Sequence, residues 1–233
     1  MSLPFTLPPL LKNGPHPLWT GKEFQIGNEQ TKVLHYSTNN TGWNDELTDH
    51  HENTAGDKHF IDVASRNNTI QQLKTTLKWP KPVILELGCS SGFLLQEMYT
   101  VFQNATLIGA DIVYNPLLRL AERLSIPLFR FDILQCPLPD NCLDAITMLN
   151  VLEHIEDDDT ALNQIYRILK PGGVLVIEVP AGPHLYDMHD KICMHFRRYT
   201  LSSLCQLLKQ KGFTLLKQSH LGIFIYPGFW LTK

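Results

Sequence analysis

Val83-Ile-Leu-Glu-Leu-Gly-Cys-Ser-Ser-Gly92 is the stretch that decides the fold class of this chain. A short apolar run carries Glu86, glycines follow at 88 and 92, and apolar periodicity resumes through Phe93, Leu94, Leu95 and Met98. A short apolar run bounded by turn residues predicts a buried strand, and recurrence at helical spacing predicts a helix, so the stretch is strand, tight turn, helix. Gly88 permits a sharp turn and Gly92 the close approach of a ligand or a neighbouring strand, since neither carries a Cβ. Backbone N–H groups at the helix start can face a polar ligand. The pattern E-x-G-x-x-x-G differs from the dinucleotide fingerprint G-x-G-x-x-G: its turn is wider and a carboxylate lies beneath it.

The same alternation continues. Thr106-Leu-Ile-Gly-Ala-Asp111 is a second strand ending in an acid, where a doubly wound sheet can hold both hydroxyls of a ribose. Leu128–Phe131 is a third strand, followed by Asp132-Ile133, and Asp144–Asn150 a fourth, running into Val151-Leu-Glu-His154. A helix ending at Arg167-Ile-Leu-Lys-Pro-Gly-Gly173 leads to a fifth strand, Val174–Val179. Strands alternating with helices predict an α/β fold built on a mostly parallel sheet.

The pieces ELGCSSG, GAD, FD, LNVLEHIED and RILKPGGVLVIEVP, over about residues 80–220, resemble the class I S-adenosylmethionine-dependent methyltransferases in order and spacing. The resemblance implies a Rossmann-like doubly wound sheet with an N-terminal extension. It also implies S-adenosylmethionine as cofactor and S-adenosylhomocysteine as product. Gly88, Cys89 and Gly92 would pass beside the amino-acid end of the cofactor, and Glu86 would help hold its ammonium. Asp111 would accept from the ribose hydroxyls and Ile112 would pack on the adenine. Asp132 and Ile133 would meet the adenine edge, while Asn150 and Val151 would line the ammonium and sulfonium side. The family usually closes its sheet with an antiparallel seventh strand. The aromatic tail Gly222–Lys233 does not supply it clearly, so either the tail forms an unusual edge or the C-terminal strand pair is incomplete.

The acceptor end is predicted from the loop after the fifth strand, because open α/β sheets bind ligands at the carboxyl ends of their strands. His184, Tyr186, His189, His195, Arg197, Arg198 and Tyr199 concentrate there. Together with His154, the three histidines are the candidate general bases, titrating in the useful range. Tyr186, Arg197, Arg198 and Tyr199 are the candidate acceptor ligands, Arg being suited to a phosphate or carboxylate. The competing expectation is that the arginines pair with acids and that Tyr199 and Thr200 start the next helix. HFRRYT and VPAGPHLYDMHD resemble a methyltransferase type 11/12-like subgroup of bacterial cell-surface polysaccharide and glycolipid pathways, implying a sugar or glycolipid acceptor. No H-x-x-x-H or paired-cysteine spacing accompanies His50, His51 and His59, so no metal is expected.

The chain has 233 residues, 43% hydrophobic and 18% charged, enough for one large core. A net charge of −3 gives no reason to expect nucleic acid. Five cysteines without paired spacing read as reduced thiols. No charged and apolar leader or membrane-length apolar run is visible, so a cytoplasmic protein is expected, with peripheral membrane contact left open. Residues 1–58 read as an extension, with Pro4, Pro8, Pro9, Pro15 and Pro17 making an extended strap and Tyr36 and Trp43 a lid. Residues 59–233 read as the catalytic domain. Loose alternation over Phe24–Tyr36 suggests a strand or hairpin, Phe60–Lys78 a helix, Leu201–Lys211 a helix and Phe213–Lys217 a sixth strand. Two other readings compete with a methyltransferase. An NAD(P)-dependent oxidoreductase is disfavoured by the glycine spacing, and a non-catalytic cofactor-binding or scaffold protein would lack turnover.

Overall fold

The computed structural model describes residues 2–37, 43–54 and 58–221. Its N-terminal part holds β1 (Leu18–Trp19), β2 (Phe24–Ile26), β3 (Glu29–Thr31) and β4 (Val33–His35), then α1 (Asp45–Thr54) and α2 (Phe60–Thr76). The α/β core follows with β5 (Val83–Leu87), α3 (Phe93–Val101), β6 (Thr106–Asp111), α4 (Tyr114–Ala121), β7 (Leu128–Arg130), β8 (Leu143–Leu149), α5 (Asp158–Ile168) and β9 (Leu169–Glu178). Short α6 (Met188–Ile192) and α7 (Leu201–Gln210) close the described chain.

Six strands form one sheet in the order β4-β7-β6-β5-β8-β9, every pair parallel. The order reverses beside β5, which places a crevice at the carboxyl ends of β5 and its neighbours. Every residue of β5 is buried, as a strand covered on both faces requires. Asp144 inside the sheet is satisfied: its carboxylate accepts from Val83 N–H at 2.8 Å and from Lys170 Nζ at 2.8 Å, tying β5, β8 and β9 together. α2 runs where the Ile70, Leu73 and Leu77 stripe places it, with Ile70 and Leu73 buried. Asp157 caps α5 by accepting the Thr160 N–H at 2.9 Å, so the acidic run at 156–159 is a helix start.

The Pro-rich segment is a strap packed on the core, with Leu7 only 2% exposed. β1, β2 and β3 form a small antiparallel sheet. Its Phe24 ring lies 4.9 Å from Trp19 and 5.3 Å from Phe129 of β7, stapling the small sheet to the large one. β4 goes further and becomes the edge strand of the main sheet, Val33 pairing with Leu128. Through β4, the segment before residue 59 contributes a strand to the main sheet.

One sequence expectation fails. Phe213–Lys217 forms no strand and pairs with none among the described residues. Its alternation is real: Phe213 and Leu215 turn inward and Leu216 is exposed, with Phe213 edge-on to Tyr166 at 5.2 Å. Side-chain packing on α5 produces the period of two without a ladder. The aromatic tail Gly222–Lys233 lies outside the described residues. No described helix is long and apolar enough to cross a membrane.

Candidate active site

A cavity of about 730 Å³ opens at the carboxyl ends of the central strands. Glu86 and Gly88 come from the end of β5, Asp111 from β6, Asp132 follows β7, and Asn150 and Val151 follow β8. Trp43, Thr48 of α1 and Arg66 of α2 form the roof, and His195 and Phe196 close the far side.

Glu86 is buried and its Oε2 has no hydrogen-bond partner among the described residues. Burial pushes its carboxyl well above the ordinary value, and Asp111 nearby adds to the push. A buried carboxylate oxygen without a partner is costly, and an ammonium at that place would relieve it. Asp111 accepts the N–H groups of Ser90 at 2.8 Å and Val113 at 2.9 Å, one on each oxygen. These bonds fix its carboxylate in the wall. Asp111 thus ties the glycine turn to the residue before α4 from its place in the cavity wall. Asp132 accepts the Leu134 N–H at 2.9 Å and Ile133 is buried beside it. Asn150 takes a positive φ of 52°, which turns the chain away from β8 at the cavity edge. Cys89 is buried at the cavity wall, and burial raises its thiol well above the ordinary range.

The two motif glycines do different work. Gly88 has φ 74° and lines the cavity, and a Cβ there would stand 2.2 Å from Val151 Cγ2. Gly92 does not line the cavity. With φ 76° it faces α4, where a Cβ would meet Leu120 Cδ1 at 2.5 Å, and its N–H donates to Cys89 O at 2.7 Å. Gly92 is thus the contact between the turn and α4.

At the far side stand His154 and His195, with ring centroids 4.7 Å apart. Trp43 meets His154 edge-on, also at 4.7 Å, so Trp43 covers the cavity. Tyr36 does not take part: its hydroxyl donates to Pro8 O at 2.7 Å. His195 is held from three directions. Its carbonyl accepts from Tyr186 Oη at 2.6 Å, the next residue's N–H donates to Glu153 O at 2.8 Å, and its Nδ1 lies 2.8 Å from Asp190 Oδ1. Asp190 is buried and also accepts from Arg198 Nε at 2.7 Å and from its own helix cap at Asp187 N–H. Burial alone would raise its carboxyl, but the bonds from Arg198, Asp187 and His195 outweigh it and hold Asp190 well below the usual range. Nδ1 of His195 is accordingly the donor. Burial lowers the His195 value, against the pull of Asp190.

The other acceptor-loop residues are placed elsewhere. Arg197 pairs with Asp158 at 2.6 Å and Arg198 with Asp190, while Tyr199 is buried with its hydroxyl on Asp158 at 2.7 Å. Thr200 caps α7 in a capping box. Tyr186, Arg197, Arg198 and Tyr199 thus brace the loop, because each polar group meets an internal partner at bonding distance and none lines the cavity. His184 is exposed and also outside the cavity wall, whereas His189 lies on it, exposed, with Nε2 3.6 Å from Cys193 Sγ. The side chains of His50 and His51 lie outside the described residues, and His59 sits 3.5 Å from Asp62.

Two residues central to this geometry were not singled out from sequence. Glu153 is 0% exposed and neither carboxylate oxygen has a hydrogen-bond partner among the described residues; desolvation pushes it up to about 8. Asp190 orients His195. Glu153 was visible only as the neighbour of His154, and Asp190 only as one more acid in an acid-rich loop.

A family model described as a methyltransferase domain matches residues 85–177. The demethylmenaquinone methyltransferase of Thermus thermophilus is 34% identical over 145 residues, covering 53% of this chain and 66% of that protein. The ubiquinone/menaquinone biosynthesis C-methyltransferase UbiE of Desulfotalea psychrophila is 29% identical over 117 residues, covering 49% and 48%. The chain spans about half to two thirds of the length of such relatives. Among solved structures, phosphoethanolamine N-methyltransferase 2 of Haemonchus contortus, in complex with S-adenosyl-L-methionine, aligns with a TM-score of 0.60 at 18% identity, over 80% of this chain and 48% of that one. The glycine turn at the end of β5 and the acid ending β6 lie inside the matched segment, so residues 85–177 are a methyltransferase domain, and the fold is that of S-adenosylmethionine-dependent methyltransferases.

Proposed function

We propose that the protein transfers a methyl group from S-adenosylmethionine to a hydroxylated-ring acceptor with an apolar part, of the phenol or hydroquinone type. The observation that carries this reading is the single cavity joining Glu86 and Asp111 at one end to His154 and His195 at the other. Glu86 and Asp111 fit the cofactor's ammonium and ribose diol, and Ile112 and Ile133 offer apolar walls for its adenine. The bound cofactor supplies an electrophilic methyl on a sulfonium, which is a good leaving group. The chain's residues then have to align the acceptor, exclude water and accept a proton. His154, His189 and His195 are the imidazoles on the acceptor wall; exposed His189 is free to pass a proton to solvent, and Asp190 orients His195 beside His154.

The acceptor class rests on the rim and on the relatives. Met194 and Phe196 line the cavity while 42% and 50% exposed, an apolar lip suited to a lipid-like tail. The Thermus thermophilus relative is named a demethylmenaquinone methyltransferase and the Desulfotalea psychrophila one a ubiquinone/menaquinone biosynthesis C-methyltransferase. A sugar-phosphate or glycolipid acceptor loses its support, because Arg197 and Arg198 are committed to Asp158 and Asp190.

The test is calorimetric titration with S-adenosylmethionine, S-adenosylhomocysteine and NAD, followed by methyl transfer from labelled cofactor to short-chain demethylated hydroquinones, simple phenols and nucleotide sugars. Binding of the first two ligands and transfer to ring acceptors is expected. NAD binding alone overturns the cofactor assignment, and transfer only to sugars overturns the acceptor class.

A further inference from the structure

Glu153, His154 and His195 gather at the inner end of the cavity. Each can present a ligand atom, and these atoms all lie within 4.8 Å of one another. Glu153 Oε1 is 4.0 Å from His154 Nε2. No sequence spacing announces such a site. It exists because Phe196 N–H bonds to Glu153 O at 2.8 Å, which seats the loop after α6 against the short turn after β8.

We propose that Glu153, His154 and His195 form a binding site for a divalent transition cation, with Asp190 as the positioning residue that fixes His195. Three observations carry this. A carboxylate that is 0% exposed, with both oxygens lacking hydrogen-bond partners among the described residues, sits among imidazoles, and a cation is the partner it lacks. The Asp190 carboxylate takes Nδ1–H of His195, leaving Nε2 as the nitrogen with a lone pair, the carboxylate–histidine arrangement that supports metal-bound imidazole. Two imidazoles and one carboxylate make a three-ligand set that leaves a coordination position for a substrate oxygen. Ligand atoms of a four-coordinate Zn²⁺ lie about 3.4 Å apart at bonds of about 2.1 Å, so the side chains must close in by roughly an ångström.

The inference deepens the methyl-transfer reading and rests on it only for the role of the ion. An acceptor hydroxyl on the cation becomes more acidic. Its proton leaves to exposed His189 and solvent. The electron pair released on oxygen, or on a ring carbon that then gives up its own hydrogen as a proton to solvent to restore the aromatic ring, forms the bond to the methyl carbon as the carbon–sulfur bond breaks, its pair remaining on sulfur. No oxidant or reductant is involved.

The experiment uses the full chain, stripped with EDTA and titrated with Zn²⁺ by calorimetry, with Co²⁺ absorption as an independent reading of coordination. One site of micromolar affinity or tighter is expected, with Co²⁺ bands of low coordination number. Glu153→Gln and His195→Ala should each weaken binding by about tenfold or more, and Asp190→Asn by about tenfold. Absence of a Zn²⁺ site in the wild type, or equal binding by the Glu153→Gln and His195→Ala variants through surface histidines, overturns the proposal. If a variant loses its fold, Co²⁺ spectra of the wild type decide alone: octahedral, water-like bands overturn it. S-adenosylmethionine is titrated into the same samples. Cofactor binding without metal defeats this inference and leaves the function standing, and metal without cofactor does the reverse.

Discussion

Replacing Gly88 by alanine tests whether the cofactor turn is shaped by Val151. Two costs add. Gly88 has φ 74°, and an L residue in that region pays about 1–2 kcal/mol. The new Cβ would also stand 2.2 Å from Val151 Cγ2, and overpacking of this kind costs about 1–3 kcal/mol. Gly88→Ala should therefore lose about 2–5 kcal/mol of stability. Val151→Ala removes the crowding Cγ2 and leaves Val151's Cβ at 3.4 Å, an ordinary contact. It costs about 1–2 kcal/mol of lost packing on its own. In the double variant the clash is gone and only the backbone cost and the lost packing remain. The cycle should thus show a favourable coupling of about 1–3 kcal/mol. Urea unfolding of the four proteins at one temperature measures it. A coupling below about 0.5 kcal/mol, the scatter of independent sites, would refute the claim that Val151 demands the glycine.

Gly92→Ala should destabilise by a similar route through Leu120, yet leave the S-adenosylmethionine affinity of the folded protein unchanged; calorimetry below the unfolding transition checks this. Glu86→Gln should hold or raise stability, because it removes a poorly partnered buried charge, while cofactor affinity falls at least about tenfold; loss of stability with unchanged affinity would contradict it. Asp111→Asn should cost about 1.5–3 kcal/mol of cofactor binding, read by the same titration, and unchanged affinity would reject the ribose assignment. Arg198→Ala strands buried Asp190 and should destabilise by about 3–5 kcal/mol in thermal or urea unfolding.

The α/β core was legible because its signals are local. The run ending at Leu87, the acid at 111 and the stripe of Ile70 and Leu73 each dictate an element without knowing the rest of the chain. Phe213–Lys217 shows the limit: a period of two reports which side chains point inward, and pairing needs a partner strand that the pattern does not contain. The end of the cavity around Glu86 and Asp111 was legible for the same local reason. The loop after β9 was not, because residue type alone does not say which partner wins. Arg197, Arg198 and Tyr199 look like ligands in isolation, and only the fold brings Asp158 and Asp190 to them. Glu153 and His195 are far apart in sequence, so their meeting is a property of topology.

The edge strand β4 sets an order of events during folding. Val33–His35 is near the start of the chain, yet its ladder partner β7 appears about a hundred residues later. On a growing chain the partner is absent while most of the core is being made, and closing so long a loop is entropically slow. Val33–His35, made before β7, should thus dock only after β7 has emerged. Until it does, β7 presents an open hydrogen-bonding edge that can capture another chain. Strap and edge strand together act as a late-arriving cover, and the yield of native protein should depend on how quickly it is laid down.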